Sequence, residues 1–470
     1  RFPGAIESVA LWDRPDAPPL QTDPADFRPS GYLRIKATIR PDRLVPGRIV
    51  DKVTAGGSDG FLFDTHPGNA LRLIVGNQEL SAPACLKAGI AQTVEAVYDG
   101  NTGEAAILLD GKEVARKAPE SGSAITRGYI LQRYVQACQG RGEYPIKFNG
   151  GYYTVEPTAL GLDTNPDYRR WGDCHWFQNV RHTVHPMLAS GDFEMTDPFF
   201  RLYENVRPLA EARARKYHNV SGAYFPETMS VFGTYSGNDY GWNRAGLQPK
   251  DVQCPWWDDA WNQGPELVAL MLDRWDYTRD RKFLMERAIP MAKAVLLYFD
   301  TRFPKDAGGK IVIDPTQVVE TYWYGVQNDM PCVAGLLAVT ERLGRLPKGT
   351  VSKEDAAFFA RMRAACPPLP IEDSPRGKEL APAAKYENRR NNVENGELYA
   401  VWPFALVSVG SPQLLEEAKR AYAGRGDRQD TGWGYDGNVA ALLGMEEEAA
   451  RILQIKVRNS HPAYRWPATW

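Results

Sequence analysis

The sequence predicts two parts, an antiparallel β-sandwich over residues 1–122 and an all-α (α/α)6 toroid over residues 123–470. Three observations carry that reading. Short runs of alternating apolar and polar residues fill the first part; the apolar period lengthens to helical spacing after Ser123; and the later segments are joined by long loops rich in Gly, Pro, Asn and aromatic residues. A chain of 470 residues also exceeds what one hydrophobic core ordinarily supports.

The alternating runs are 31–40 (GYLRIKATIR), 47–53 (GRIVDKV), 59–66 (DGFLFDTH), 70–76 (ALRLIVG), 92–99 (QTVEAVYD) and 104–116 (EAAILLDGKEVAR). Gly, Pro and Asp punctuate them, and Leu109-Asp110-Gly111-Lys112 is a two-residue hairpin signal. The YDG and ILLDGKEVA stretches resemble those of concanavalin- and laminin-G-like modules over residues 27–118. That resemblance implies a jelly roll, with a spacer role and a glycan-binding role both open.

Helical spacing begins at 125–138 (ITRGYILQRYVQAC) and continues at 176–188, 198–217, 259–275, 279–301, 331–343, 353–365, 397–409, 412–423, 438–442 and 446–459. These segments come within one of the number a closed ring of six helix pairs needs. The stop at WPATW predicts that a final helix or a C-terminal sandwich is missing. Residues 347–355 and 371–390 read as solvated surface loops, whereas the long loops between helices suggest that one end of the scaffold is built up as a site.

Lys+Arg 56 against Asp+Glu 58 leaves no electrostatic footprint for nucleic acid or an anionic membrane. No apolar run approaches the roughly 20 residues that span a bilayer. A small neutral substrate fits this balance, and 13 Trp and 22 Tyr, many in Gly- and Asn-bearing loops, offer flat faces on which sugars stack. Trp256, Trp257 and Trp261 stand at helix-face spacing and read as core. The six cysteines show neither CxxC nor Cys/His spacing, so free thiols are expected. His175, His182 and His185 have no neighbour that completes a ligand set, so neither metal nor cofactor is expected. The start at Arg1, without Met or leader, predicts a processed or trimmed product. A periplasmic or secreted setting is favoured, and the oligomeric state is open.

Hydrolysing a glycosidic bond with inversion needs a protonated carboxyl beside the leaving oxygen and a second carboxylate that activates water across the ring. Four loops carry isolated carboxylates among aromatics and amides: 222–242 (Glu227, Asp239), 313–329 (Asp314, Glu320, Asp329), 391–404 (Glu394, Glu397) and 431–444 (Asp436). Val319 and Thr321-Tyr322-Trp323 surround Glu320 with an apolar and aromatic wall that would raise its pKa, as an acid requires. Asp436 opens a helix, where free N–H groups stabilise a carboxylate, as a base requires; an ordinary N-cap explains the position equally well.

From Ile125 onward these short motifs resemble, in order, those of glycoside hydrolase family 95, whose known members are inverting α-1,2-L-fucosidases and α-L-galactosidases on an (α/α)6 scaffold. RGEYPIKFNGG resembles the family loop whose amides polarise the attacking water, which implies that role for Asn149. WFQNVRHTVHPML resembles a helix beside the sugar, implying that Gln178, Asn179 and Arg181 lie there. PTQVVETYW implies that Glu320 is the general acid, and GWGYDGNVAALLG that Asp436 is the base. In ENGELYAVWPF, Glu394 and Glu397 stand where the family has His, so the sugar is not carried over. Glu227, in GAYFPETM, is the reserve acid. Trp171, His175, Trp176, Tyr240, Tyr322 and Trp323 complete the expected sugar-binding surface.

The expectation is therefore an exo-acting inverting α-glycosidase that removes a terminal fucose-, galactose- or rhamnose-type sugar from a poly- or oligosaccharide. A polysaccharide lyase on the same scaffold would instead need Arg, Asn or His to neutralise a uronate and a Tyr or His base, which the set Asn179, Arg181, His175 and Tyr240 offers. A non-catalytic glycan-binding protein would hold sugar without turnover. Unsaturated, ultraviolet-absorbing product ends mark the lyase; a free monosaccharide of inverted configuration marks the hydrolase.

Overall fold

The structure is a computed structural model that describes residues 2–13, 15, 18–20, 31–54, 60–76, 78–100, 103–117, 121–146, 174–428 and 434–458. The chain divides into two compact units, Arg1–Arg127 and Gly128–Trp470.

In the first unit the strands are β1 (Gly4–Trp12), β2 (Tyr32–Pro41), β3 (Arg48–Lys52), β4 (Phe61–Asp64), β5 (Leu71–Val75), β6 (Gln78–Ala82), β7 (Gln92–Asp99), β8 (Glu104–Leu109) and β9 (Lys112–Lys117). They pair antiparallel in two sheets, ordered β1-β2-β7-β8-β9 and β3-β4-β5-β6. The alternation in β2 sends Leu33, Ile35, Ala37 and Ile39 to one buried face. Phe61 and Phe63 of β4, Leu71 and Leu73 of β5, and Val94 and Ile107 join them, so both sheets share one apolar cluster. Asp110 (φ 52°) and Gly111 (φ 77°) both take the left-handed conformation between β8 and β9, the backbone of a type I′ hairpin turn.

The helices are α1 (Ser121–Gln139), α2 (Phe177–Ala189), α3 (Asp197–His218), α4 (Gly237–Tyr240), α5 (Gln263–Thr278), α6 (Arg281–Phe283), α7 (Ile289–Arg302), α8 (Met330–Gly344), α9 (Lys353–Ala365), α10 (Leu415–Gly424), α11 (Asp436–Leu442) and α12 (Glu446–Arg458). A π-helical turn, Leu284–Ala288, makes α6 and α7 continuous. Every residue of α5 from Gln263 to Leu272 is buried, which marks a helix enclosed on all sides; it packs against α2, α7 and α8. Asp329 caps α8, its carboxylate accepting from Cys332 N at 2.8 Å, and also accepts from Thr316 Oγ1 at 2.6 Å. Among the described residues no helix is long and apolar enough to cross a membrane.

Two expectations fail. Residues 397–409 do not form a helix: a 3-10 turn, Gly396–Leu398, gives way to irregular turns. Pro403 removes an N–H and disfavours helical backbone at Trp402, and Ala405 is left-handed (φ 50°). Residues 371–390 are not a solvated loop either. Ile371–Ser374 pairs with Gly377–Leu380, Ala383–Lys385 pairs with Gln327–Asp329, and Leu380, Ala381 and Ala383 are buried.

Candidate active site

The loop before α8 carries Glu320, and one side chain organises it. Gln317 donates from Nε2 to the carbonyls of Val319 (2.6 Å) and Trp256, and its Oε1 accepts from Asp259 N at 2.9 Å. Val319 is held at φ 41°, a conformation a β-branched residue rarely adopts, and it directly precedes Glu320. The half-buried Glu320 carboxyl accepts from Asn392 Nδ2. Burial, then the like charges of Glu394 and Glu227, push that carboxyl up to about 8, against the Asn392 hydrogen bond.

The 391–397 segment is zipped to this loop. Asn391 N donates to Thr321 O (2.8 Å) and Thr321 Oγ1 donates to Glu394 O (2.8 Å). Gly396 lies so close that a Cβ there would stand 2.2 Å from Val318 Cγ1. Gly396→Ala is therefore expected to cost about 1–3 kcal/mol by overpacking and to lower activity as the Glu320 loop shifts. Urea midpoints and turnover measured together check this; an unchanged midpoint contradicts it.

Behind Glu320 lies a layer of buried charge. Glu227 is 1% exposed, with one carboxylate oxygen accepting from Gln178 N at 2.6 Å, in the open first turn of α2, and the other from Gln263 Nε2 at 2.9 Å. Burial pushes it up to about 7, with those hydrogen bonds opposing. Glu394, 3% exposed, accepts from Gln178 Nε2, Tyr399 Oη, Tyr435 Oη (2.8 Å) and Arg181 Nη2 (3.1 Å). Burial raises its carboxyl, and Arg181 opposes. Arg181 itself is 0% exposed: its guanidinium also donates to Glu266 Oε2 at 2.5 Å, Tyr399 Oη at 2.8 Å and Gln178 O at 3.0 Å.

Tyr435 brings its neighbour Asp436 toward this layer. Asp436, the first residue of α11, is 3% exposed and pairs through Oδ2 with Arg425 Nε at 2.7 Å. Glu397 is buried nearby; burial first, then the charges of Glu372 and Asp436 against that of Arg390, push it up to about 7, and its Oε2 has no hydrogen-bond partner among the described residues. Arg390 donates to Glu394 O and Asn395 Oδ1 (3.1 Å each) and reaches Tyr322 Oη at 3.5 Å.

Glu320, Glu227, Gln178, Arg181 and Glu394 are thus joined directly or through one residue, with Asp436 linked through Tyr435. His175 and Trp176 form a two-residue bridge with Thr228-Met229 beside Glu227, and Trp176 meets Trp257 edge-on at 5.6 Å. Tyr322 packs edge-on against Tyr386 (5.0 Å), and Trp323 donates from Nε1 to Glu320 O at 2.7 Å. Asn179 is half-buried on α2. Tyr240, the last residue of α4, stacks on Tyr235 with ring centroids 5.6 Å apart and donates to Pro249 O at 2.7 Å. Asn149 and Trp171 lie outside the described residues. Trp257 and Trp261 are core, as expected, but Trp256 is 36% exposed.

Sequence reasoning missed Glu266, Gln263, Asn392, Tyr399, Arg425 and Tyr435. One signal was available for Glu266, a lone carboxylate inside the apolar run PELVALML, since such a group must be paired when buried.

Among solved structures, the chain is similar to a putative kojibiose phosphorylase from the human microbiome, with 11% identity, a TM-score of 0.44, 88% of this chain covered and 65% of that one. It spans just under two thirds of that chain's length. It is also similar to a family 76 glycoside hydrolase from a bovine Bacteroides thetaiotaomicron strain, with 10% identity, a TM-score of 0.31, 96% of this chain covered and 88% of that one. No curated protein matches. The glycosyl hydrolase family 95 catalytic domain matches residues 175–468, the span that carries the joined carboxyls and more than half of the chain, and the chain belongs to that family.

Proposed function

We propose that the chain is an exo-acting inverting α-glycosidase that removes a neutral terminal sugar of fucose, galactose or rhamnose type from an oligo- or polysaccharide. The observation that carries it is the state of Glu320: a half-buried carboxyl with a pKa pushed up to about 8 holds its proton at neutral pH, where a general acid must. Asp436, kept beside the Arg425 cation at a helix start, suits the base that takes a proton from water. In this reading Asn149 orients that water, and Glu227 is the reserve acid. Its near-complete burial and two hydrogen bonds favour a supporting role.

The arginines support a neutral sugar. Arg181 is engaged by Glu266 and Glu394, Arg425 by Asp436, and Arg390 by backbone and amide oxygens. A uronate would bring a further negative charge to a cluster of carboxyls in which Arg181 and Arg425 are already paired with carboxylates. This weakens the lyase reading, as does the engagement of the Tyr240 hydroxyl with Pro249 O. The wider architecture proposed with this function is a jelly-roll sandwich in residues 1–122 and closure of the helices of residues 123–470 into an (α/α)6 ring.

Digesting a panel of α-linked fucosides, galactosides and rhamnosides, with the newborn anomer followed by NMR, tests the reading. Release of a monosaccharide that first appears as the β anomer is expected. Retention of configuration, or products with unsaturated ends, sinks it.

A further inference from the structure

Trp256 and Trp257 are adjacent in sequence and have opposite fates. Trp257 is buried against Trp176, whereas Trp256, a large aromatic residue, is 36% exposed. Its backbone is nevertheless fixed, because its carbonyl accepts from Gln317 Nε2, the same group that holds Val319 O beside Glu320. Its ring meets that of Trp323 edge-on, with centroids 4.5 Å apart, and Trp323 is tied through Nε1 to the carbonyl of Glu320. A partly exposed aromatic side chain is thus tied through Gln317 to Val319, the residue before Glu320, and through Trp323 to Glu320 itself.

Glu227 and Glu394, whose charges act on Glu320, are 1% and 3% exposed and make the closed side in this reading, while Trp256, hydrogen-bonded to the Glu320 loop through Gln317, is 36% exposed and makes the open one. In an exo-acting pocket the terminal sugar enters the closed side and the rest of the glycan runs out toward solvent. The general acid stands between them, at the oxygen they share. We propose that Trp256, braced by Trp323, is the platform on which the ring of the leaving-group sugar stacks, a positioning residue that aligns the glycosidic oxygen with Glu320. This inference rests on the hydrolase reading above.

A comparison of two probes with the same terminal sugar tests it. The α-glycosyl fluoride has a leaving group without a ring, and the matching α-linked disaccharide has one; fucosyl, galactosyl and rhamnosyl versions of each would be assayed with the full chain. For Trp256→Ala, the loss of kcat/KM on the disaccharide should exceed the loss on the fluoride by about 10-fold, chiefly through KM, as removal of one stacking face implies. Trp256→Phe should recover most of it, because a flat ring remains. Equal losses on the two probes, or no loss on either, overturn the platform while leaving the hydrolase reading intact. A wild-type chain that turns over none of the fluorides or disaccharides overturns both.

Discussion

Replacing Glu320 by Gln is expected to lower kcat/KM by about 10²–10⁴-fold on glycosides with poor leaving groups. The amide keeps the shape and a hydrogen-bond acceptor for Asn392, so the loss reports the proton and not the packing. It should shrink on glycosyl fluorides, which leave without protonation. The pH profile carries a second signature. With the wild-type carboxyl pushed up to about 8, activity should fall as pH rises through 8, and that limb should vanish in the variant. Stability gives an independent check, because folding raises this pKa from its ordinary value of 4.5. Between roughly those two pH values the folded chain binds a proton that the unfolded chain has lost, so this group's contribution to stability declines as pH rises across the window. Glu320→Gln should therefore gain in urea midpoint relative to wild type at pH 8 and not at pH 4.5. Full activity in the variant would shift the acid assignment to Glu227.

The elements that were legible in the sequence are those whose burial repeats locally. Alternation in 31–40 and in 104–116 marks strands that bury one face, and Lys353–Ala365 reads as the helix it is because Ser352 caps it through Asp355 N (3.0 Å). Strand β1 was missed because most of Gly4–Val9 is exposed or half-buried, leaving little period to read, and β6 because Gln78 and Glu79 are polar. The stretch 397–409 misled for the opposite reason. It is apolar enough for a buried helix, but its burial comes from packing of irregular turns into the core of the second unit. In the site, carboxylates flanked by aromatics were visible one by one. What joins them was not, since Arg181 meets Glu266 across 85 residues and Glu394 across 213, and no local pattern records a pairing at that separation. The role expected of Arg181 beside the sugar also depended on exposure, which the sequence does not encode and which the structure puts at 0%.

That buried guanidinium carries the largest stability effect expected in the chain. Arg181→Met keeps the length of the side chain but removes the donors to Glu266, Glu394, Tyr399 and Gln178 O, stranding two carboxylates away from water. Breaking one partner out of such a network costs about 3–5 kcal/mol, because the remaining charges lose their counterion without regaining solvent. Burial already raises the Glu394 carboxyl against the pull of Arg181, so loss of the arginine should raise it further. Lys should not rescue, since a single ammonium cannot direct separate N–H groups at Glu266, Glu394 and Tyr399 together. Neutralising the stranded partners should: Arg181→Met combined with Glu266→Gln and Glu394→Gln is expected to recover a large part of the lost urea midpoint. Activity should not recover with it, because Gln178, Tyr399 and Tyr435 converge on the Glu394 carboxylate and set the wall behind Glu320. Recovery of both would mean that the network serves the fold alone; a single Arg181→Met variant as stable as wild type would mean that the buried charges are not coupled as their geometry requires.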